Sequence, residues 1–232
     1  MNGFNQWWNE FSDTFEKCFI KEDRYQLLLD GIGVTIKVSL LAVVIGIAIG
    51  LVIAFCNLSK SKIFNFIGKV YTDVIRGTPS VTQLMIIYFV VFATVDLEKW
   101  IIAAIAFGIN SGAYVSEIIR AGILSIDKGQ TEAGRALGLN GAQTMGSVVI
   151  PQAVKNIFPA LCNEFIVLIK ETAIVGYIGL VDIQKAGDFI KSATFEAFMP
   201  LIATAVIYFV IIKILTILMN RIEAILRKSE SR

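Results

Sequence analysis

Read for apolar and polar positions, the chain falls into five long apolar runs separated by short polar connections. A bilayer core about 30 Å thick takes roughly 20 mostly apolar helical residues. The runs fit that length: Gly31 to Cys56, with Lys37 as the only charge; Ser80 to Val95; about Trp100 to Leu124; about Ile150 to Gly179; and about Phe198 to Met219. The second run is entered through Ile63, Phe66, Ile67, Val70 and Val74, whose spacing places them on one helix face. Inside lipid every backbone polar group needs an internal partner, which predicts helices rather than strands. The expected fold is an all-α integral membrane protein of about five transmembrane helices.

Lysine and arginine are disfavoured on the translocated side, so their placement predicts orientation. The connection Asn57 to Lys69 holds Lys60, Lys62 and Lys69 and no acid, and the segment after Asn220 holds Arg221, Arg227, Lys228 and Arg232. Both are expected in the cytoplasm. The Asp96–Lys99 and Asp182–Glu196 connections hold more acids than bases, and the residues before Gly31 carry six acids to three bases. Those three are expected outside, which puts the N-terminus outside and the C-terminus in the cytoplasm. Lys37 and Lys213 then lie near helix ends, where their ammonium groups can snorkel to the headgroups. The first segment sets Trp7, Phe11, Phe15, Cys18 and Phe19 at helical spacing, which reads as an interfacial helix on the outer leaflet or as a docking surface for an external partner. It carries no basic region with an apolar core and cleavage site, so it is not read as a cleaved signal.

Composition agrees with a lipid solvent: 56% of residues are hydrophobic and 17% charged, against about 25% charged in soluble domains. A net charge of +2 is too small to suggest nucleic acid. Histidine is absent, which removes Ser-His-Asp and Cys-His catalysis, histidine-ligated zinc and a histidine proton relay. Cys18, Cys56 and Cys162 form no Cys-x-x-Cys pair, and no metal site is expected. Gly68-Lys69 is followed by Val70 and lacks the earlier glycine of a phosphate-binding loop, so the chain is not expected to be an enzyme. Any ATP chemistry must come from a partner.

The longest cytoplasmic connection is not polar filler. It reads Asp127, Lys128, Gly129, Gln130, Thr131, Glu132, Ala133, Gly134, Arg135, Ala136, Leu137, Gly138, Leu139. Asp127 or Thr131 can cap a short helix, small residues crowd one side, and Gly138 can supply a left-handed stop. An amphipathic connector with no further role has the same features. Glu132-Ala133-Gly134, then Gly138, then Val148-Val149-Ile150-Pro151 resembles the EAA loop of ATP-binding-cassette importer permeases: Glu-Ala-Ala, three residues, Gly, nine residues, Ile, any residue, Leu-Pro. The spacing matches throughout, with Gly134, Val148 and Ile150 as small or apolar replacements. Arg76-Gly77-Thr78-Pro79, Asn110-Ser111-Gly112-Ala113-Tyr114, Pro151-Gln152-Ala153, Asn163-Glu164-Phe165 and Lys170-Glu171-Thr172 look like the polar amino-acid permease branch. The resemblance covers about Gly31 to Arg221.

This resemblance implies a type I importer permease in the bacterial plasma (inner) membrane, multi-pass. The implied organisation is an aromatic outer segment over 1–30, a permease domain over 31–221 with its coupling loop at about 127–142, and a basic cytoplasmic tail over 222–232. The implied partners are a cytoplasmic ATPase dimer that binds ATP and Mg, a second permease subunit giving a homodimer or a heterodimer, an extracytoplasmic amino-acid-binding protein, and membrane lipid. The coupling residues carried over are Gly129, Gln130, Glu132, Ala133, Gly134, Arg135, Ala136, Leu137, Gly138 and Leu139.

Ionisable groups at bilayer depth should face protein or water. Asn110, Tyr114 and Glu117 share a stripe on the third run, and Gln152, Asn156, Asn163 and Lys170 one on the fourth. They read as a shared translocation path or as interhelical hydrogen bonds that hold the bundle together. For a free amino acid, Glu117, Glu164 and Glu171 could meet the ammonium; Lys170, Asn110, Ser111 and Asn163 could meet the carboxylate. Thr172 completes the candidate path. Gly112 could let the third helix break, or serve close packing. Arg76, Thr78 and Pro79 read as a latch and kink, with Pro151 and Pro159 as bending points of the fourth run. A rival reading is an autonomous ion-coupled carrier or channel using Glu117, Glu164 and Lys170, but such a carrier has no reason to possess an EAA loop.

Overall fold

The computed structural model describes residues 2–228, and every regular element among them is helical. Helix α1 (Asn2–Phe15) exposes the rings of Phe4, Trp7, Trp8, Phe11 and Phe15, with Trp7 stacked on Phe11 at 5.5 Å. A π-helical turn (Glu16–Ile20) and a 3-10 turn (Lys21–Asp23) lead into α2. Glu22 and Asp23 adopt left-handed backbone there, a conformation that strains non-glycine residues. Arg24 steadies the corner by donating to the Lys17 carbonyl and the Glu22 carboxylate, each at 2.7 Å. The aromatic stripe expected to lie wholly at the interface divides at this corner. Cys18 and Phe19 are buried against Leu28, Ala186, Ile190 and Met199, so the end of the segment is core.

Helix α2 (Tyr25–Leu58) has 34 residues, about 51 Å at 1.5 Å each. It starts before Gly31, so the expected boundary at 30/31 falls inside it. Helix α3 (Lys62–Arg76) and helix α4 (Ser80–Ile86), which continues as a π turn through Val91, are bent by 103° at Gly77–Pro79. The expectation of one helix entering the second span is corrected here. Pro79 brings no N–H and disfavours α conformation in Thr78, and the chain restarts with Pro79 as the cap of α4. Helix α5 (Lys99–Leu124) comes next, then short α6 (Lys128–Ala136) and α7 (Gly141–Thr144), a π turn (Met145–Val149), and α8 (Ile150–Glu171). A 3-10 turn (Thr172–Ile178) ends at left-handed Gly179, before α9 (Ile183–Thr194) and α10 (Phe198–Lys228). Because α10 runs to Lys228, the tail expected from 222 begins as helix; Arg232 lies outside the described residues.

Three of these helices are long and apolar enough to cross a membrane, α2, α5 and α10 as far as Ile225, or four if the bent α3–α4 pair is one span. The five-run expectation counted α8 as well. At about 33 Å α8 is long enough, but Lys155, Glu164, Lys170 and Glu171 keep it outside the apolar set. A helix covered by protein need not be apolar. It continues unbroken through Pro159, and Pro151 sits in its first turn, where a missing N–H costs nothing. The bends expected at both prolines are therefore absent as breaks, and the irregularity falls in the preceding π turn.

The most extensive contact in the chain joins α2 to α5. Gly31, Thr35, Ala42, Gly46, Gly50 and Ala54 make a buried stripe along α2. A Cβ added at Gly50 would stand 2.4 Å from Val115 Cγ1, and one at Gly108 would stand 2.5 Å from Ile45 Cγ2. Lipid supplies no hydrophobic drive between helices, so their attraction comes from close van der Waals packing that only small residues permit. Gly112 belongs to the same seam: α5 does not break there, and an added Cβ would meet Ile49 Cγ2 at 2.7 Å. At the other end of the bundle, fully buried Asp182 caps α9 by accepting from Gln184 N and Lys185 N, and accepts from Tyr208 of α10 at 2.9 Å. Burial pushes its carboxyl above the usual range, while these hydrogen bonds act in the opposite direction.

Gly50→Val is expected to lower the unfolding temperature in detergent through overpacking of about 1–3 kcal/mol. Gly33→Val, at a position with open space around it, should leave the temperature unchanged. Equal melting of the two variants would contradict the seam.

Candidate functional site

The coupling segment is built by local rules. Asp127 caps α6 by accepting from Gly129 N at 2.7 Å, so Asp127 rather than Thr131 is the cap. At its other end Gly138 has φ of 83°, Leu139 N donates to the Gly134 carbonyl and Gly138 N to the Arg135 carbonyl. That pair of bonds is a Schellman closure, and it needs the left-handed residue that glycine supplies without strain. Asn140 and Gln143 then form a reciprocal capping box on α7. Gly134 alone on α6 is buried; an added Cβ would stand 2.8 Å from Thr144 Cγ2. Glu132, Ala133, Arg135, Ala136 and Leu137 are exposed, Leu137 at 83%. One face is thus pinned by its neighbour while the other faces outward.

One side-chain bond ties this segment to the bundle, and a second joins α5 to α8 just before it. Gln152 of α8 donates to Gln130 at 3.2 Å, and Asn156 of α8 donates to Ser125, beside the end of α5, at 3.0 Å. Deeper, Ser111 of α5 donates to Glu164 of α8 at 2.8 Å. Asn110 faces another neighbour, donating to Gln83 of α4 at 2.9 Å. Gln83 also donates to the Ile75 and Thr78 carbonyls and to the Thr78 hydroxyl, which satisfies free groups at the α3–α4 break. Tyr71 of α3 donates to the Ile109 carbonyl at 2.6 Å. The break is therefore fastened to α5 by side chains on both of its arms.

The expected path residues separate into three groups. Ser111 and Glu164 meet at mid-height, while Asn110 beside Ser111 turns to Gln83. Toward the coupling segment, Arg76 lies over the ring of Tyr114 at 5.3 Å, and Glu117 is paired with Arg120 at 2.8 Å. Toward the opposite end, Glu171 is within electrostatic reach of both Glu164 and Lys170, and Thr172 is buried, bonded to the Ile169 carbonyl. Asn163 and Lys170 are exposed on the single chain, and of the other candidates Lys170 is near Glu171. Sequence reasoning missed Gln83 and Arg120. Gln83 could have been found as the lone amide in an apolar run, and Arg120 as a base three residues from Glu117 on one helix face.

Residues 46–228 match the family model described as "Binding-protein-dependent transport system inner membrane component". The chain is 42% identical over 205 residues to the arginine transport system permease protein ArtQ of Bacillus subtilis, covering 88% of this chain and 94% of that one. It is 39% identical over 211 residues to a putative glutamine transport system permease protein GlnP of Rickettsia bellii, covering 90% and 97%. A solved structure titled as an amino acid ABC transporter with histidines superposes with a TM-score of 0.81 at 43% identity, covering 89% of this chain and 97% of that one. The methionine transporter MetNI, at 18% identity and a TM-score of 0.75 over 87% and 96%, shares the fold. The chain belongs to the family of binding-protein-dependent transport system inner membrane components. It is an ABC importer permease, a multi-pass protein of the bacterial inner membrane.

Gly134→Ala, which restores the alanine of the EAA pattern, is expected to loosen α6 from α7 at a cost of about 1–2 kcal/mol. Adding Thr144→Ser removes the opposing methyl and should return the unfolding temperature toward the parent. Identical melting of the single and double variants would count against this contact.

Proposed function

We propose that the chain is the membrane subunit of an ATP-driven importer of polar amino acids, forming the translocation path and leaving ATP hydrolysis to a separate cytoplasmic ATPase dimer with its Mg. It pairs with a second permease, a copy of itself or a sister chain, and receives substrate from an extracytoplasmic binding protein. Five spans, with α1 outside and the end of α10 in the cytoplasm, agree with the distribution of lysine and arginine. The amino-acid cargo is supported by relatives named for arginine and glutamine at about 40% identity. The observation that carries the reading is the coupling segment, a short helix pinned at Gly134 and open on its other face.

The structure suggests how force would travel. Closure of the ATPase dimer moves α6, and the Gln130–Gln152 and Ser125–Asn156 bonds pass that motion to α8 and α5. The Ser111–Glu164 bond lies between those same two helices. A motion that separates them frees a carboxylate for the ammonium of a substrate while Ser111 and Asn110 are placed toward its carboxylate. ATP drives the change only insofar as α6 binds the two ATPase states differently.

The test is uptake of a labelled amino-acid panel into proteoliposomes holding the chain with its ATPase, binding protein and any sister subunit. Uptake should require hydrolysable ATP on the ATPase side and resist ionophores. Uptake without ATP that collapses with an ion gradient would replace the importer by the ion-coupled carrier. In the same vesicles Gly138→Asp and Glu132→Lys should remain inserted but lose ATP-driven uptake by at least tenfold. Normal uptake by either would refute docking through α6.

A further inference from the structure

Below the Ser111–Glu164 bond, on the side of the coupling segment, α2, α3 and α5 line a half-open, mainly polar groove of about 440 Å³. Its wall includes Asn57 at the end of α2, Lys69, Asp73 and Arg76 on α3, and Glu117 and Arg120 on α5. Ser111, Tyr114, Glu117 and Arg120 succeed one another at three-residue steps along α5, so Glu117 lies about 9 Å along the helix from Ser111. Arg76 and Glu117 also line a second, open cavity bounded by Ser125 and Asn156, the pair that joins α5 to α8 just before the coupling segment. The two share Arg76 and Glu117, and together they make the vestibule between the mid-membrane polar groups and α6.

The charges in this vestibule are unevenly used. Arg120 and Glu117 neutralise one another through three hydrogen bonds. Lys69 and Asp73 form no ion pair among the described residues. Arg76, over the Tyr114 ring and exposed, can still offer its guanidinium to a planar acceptor. Asn57 packs its amide against Gly68, where an added Cβ would press on its Oδ1, so it shapes the wall and is closed to a ligand. Two cations and one carboxylate are the complement of a free α-amino acid: Lys69 and Arg76 suit its carboxylate and Asp73 its ammonium.

We propose that this vestibule is a product-side binding station for the transported amino acid, a site separate from the mid-membrane groups and occupied on the way to the cytoplasm. The inference rests on the import reading above. Partly exposed charges bind weakly, so the station holds its ligand at about millimolar concentration and releases it readily. When cytoplasmic substrate is plentiful, the station stays filled and slows further import.

The full transporter is placed in vesicles of phosphatidylglycerol and phosphatidylcholine, which lack the primary ammonium of an ethanolamine headgroup and so cannot mimic the ligand. Initial ATP-driven uptake of labelled glutamine and arginine is measured against increasing unlabelled amino acid on the ATPase side. The transported one should inhibit with a half-effect in the millimolar range. Lys69→Gln and Asp73→Asn should each raise that half-effect at least fivefold, and Lys69→Arg should restore it, whereas Lys62→Gln at the start of the same helix should not move it. Unchanged half-effects, or no inhibition of the parent, would overturn the station and leave the importer standing; no uptake by the parent of any amino acid would remove both. If a variant assembles but does not transport, binding of the labelled substrate to the nucleotide-free complex decides: loss of the weak site supports the station, and its retention refutes it.

Discussion

The bundle depends on how closely two backbones approach in a solvent that gives them no reason to meet. In water α2 and α5 would be driven together by their apolar surfaces; in lipid those surfaces are as well solvated apart as together. Gly46, Gly50, Gly108 and Gly112 change this by letting opposing side chains reach the partner backbone, with Ile45, Ile49 and Val115 filling the space that a Cβ would take. The groups that touch substrate in the proposed cycle stand on α5 or on the helices packed against that pair. Asn110 and Glu117 lie on α5 beside the seam, Ser111 packs against Gly46 within it, and α3, α4 and α8 pack around them.

Polar groups obey the same economy of position. Several deep ones are satisfied across a helix boundary: Asn110 by Gln83, Glu164 by Ser111, the Ile109 carbonyl by Tyr71. Such bonds hold the helices in register, and they are also the bonds that a substrate can replace one for one. A bundle closed only by apolar packing would offer an amino acid nothing to exchange with. The pathway and interhelical-bonding readings of these residues are therefore compatible: in the resting chain the same groups hold helices together that transport would require to part.

Much of this was legible in the chain, and for identifiable reasons. The runs that became α2, α5 and α10 are set by the length of lipid they cross, which hydropathy records directly. Asp127 and Gly138 bound α6 through local chemistry that needs no tertiary information. Other features were hidden because periodicity states which face is apolar but not what covers it. Cys18 and Phe19 continue the aromatic stripe of α1, yet α9 and α10 bury them. Gly77-Thr78-Pro79 announced a break, but its 103° angle is held by Gln83, eight residues from Ile75. Gly112 carried two equally good readings until the position of Ile49 decided between them, and α8 was polar for a reason visible only once its neighbours were in place.

Helix α10 packs against α8 and α9 along one side and leaves the rest of its surface outward. Almost none of its most apolar stretch is buried within the chain, and it is held at one end by the Tyr208–Asp182 bond and by the fit of Thr204 against Gly187. Acyl chains do not distinguish leucine from isoleucine or valine at a given depth, so its outward positions can drift through mutation with little effect on folding. Tyr208 and Thr204 have no such latitude. In a lineage of such permeases the outward positions of α10 would diverge fastest in sequence while the helix kept its place in space.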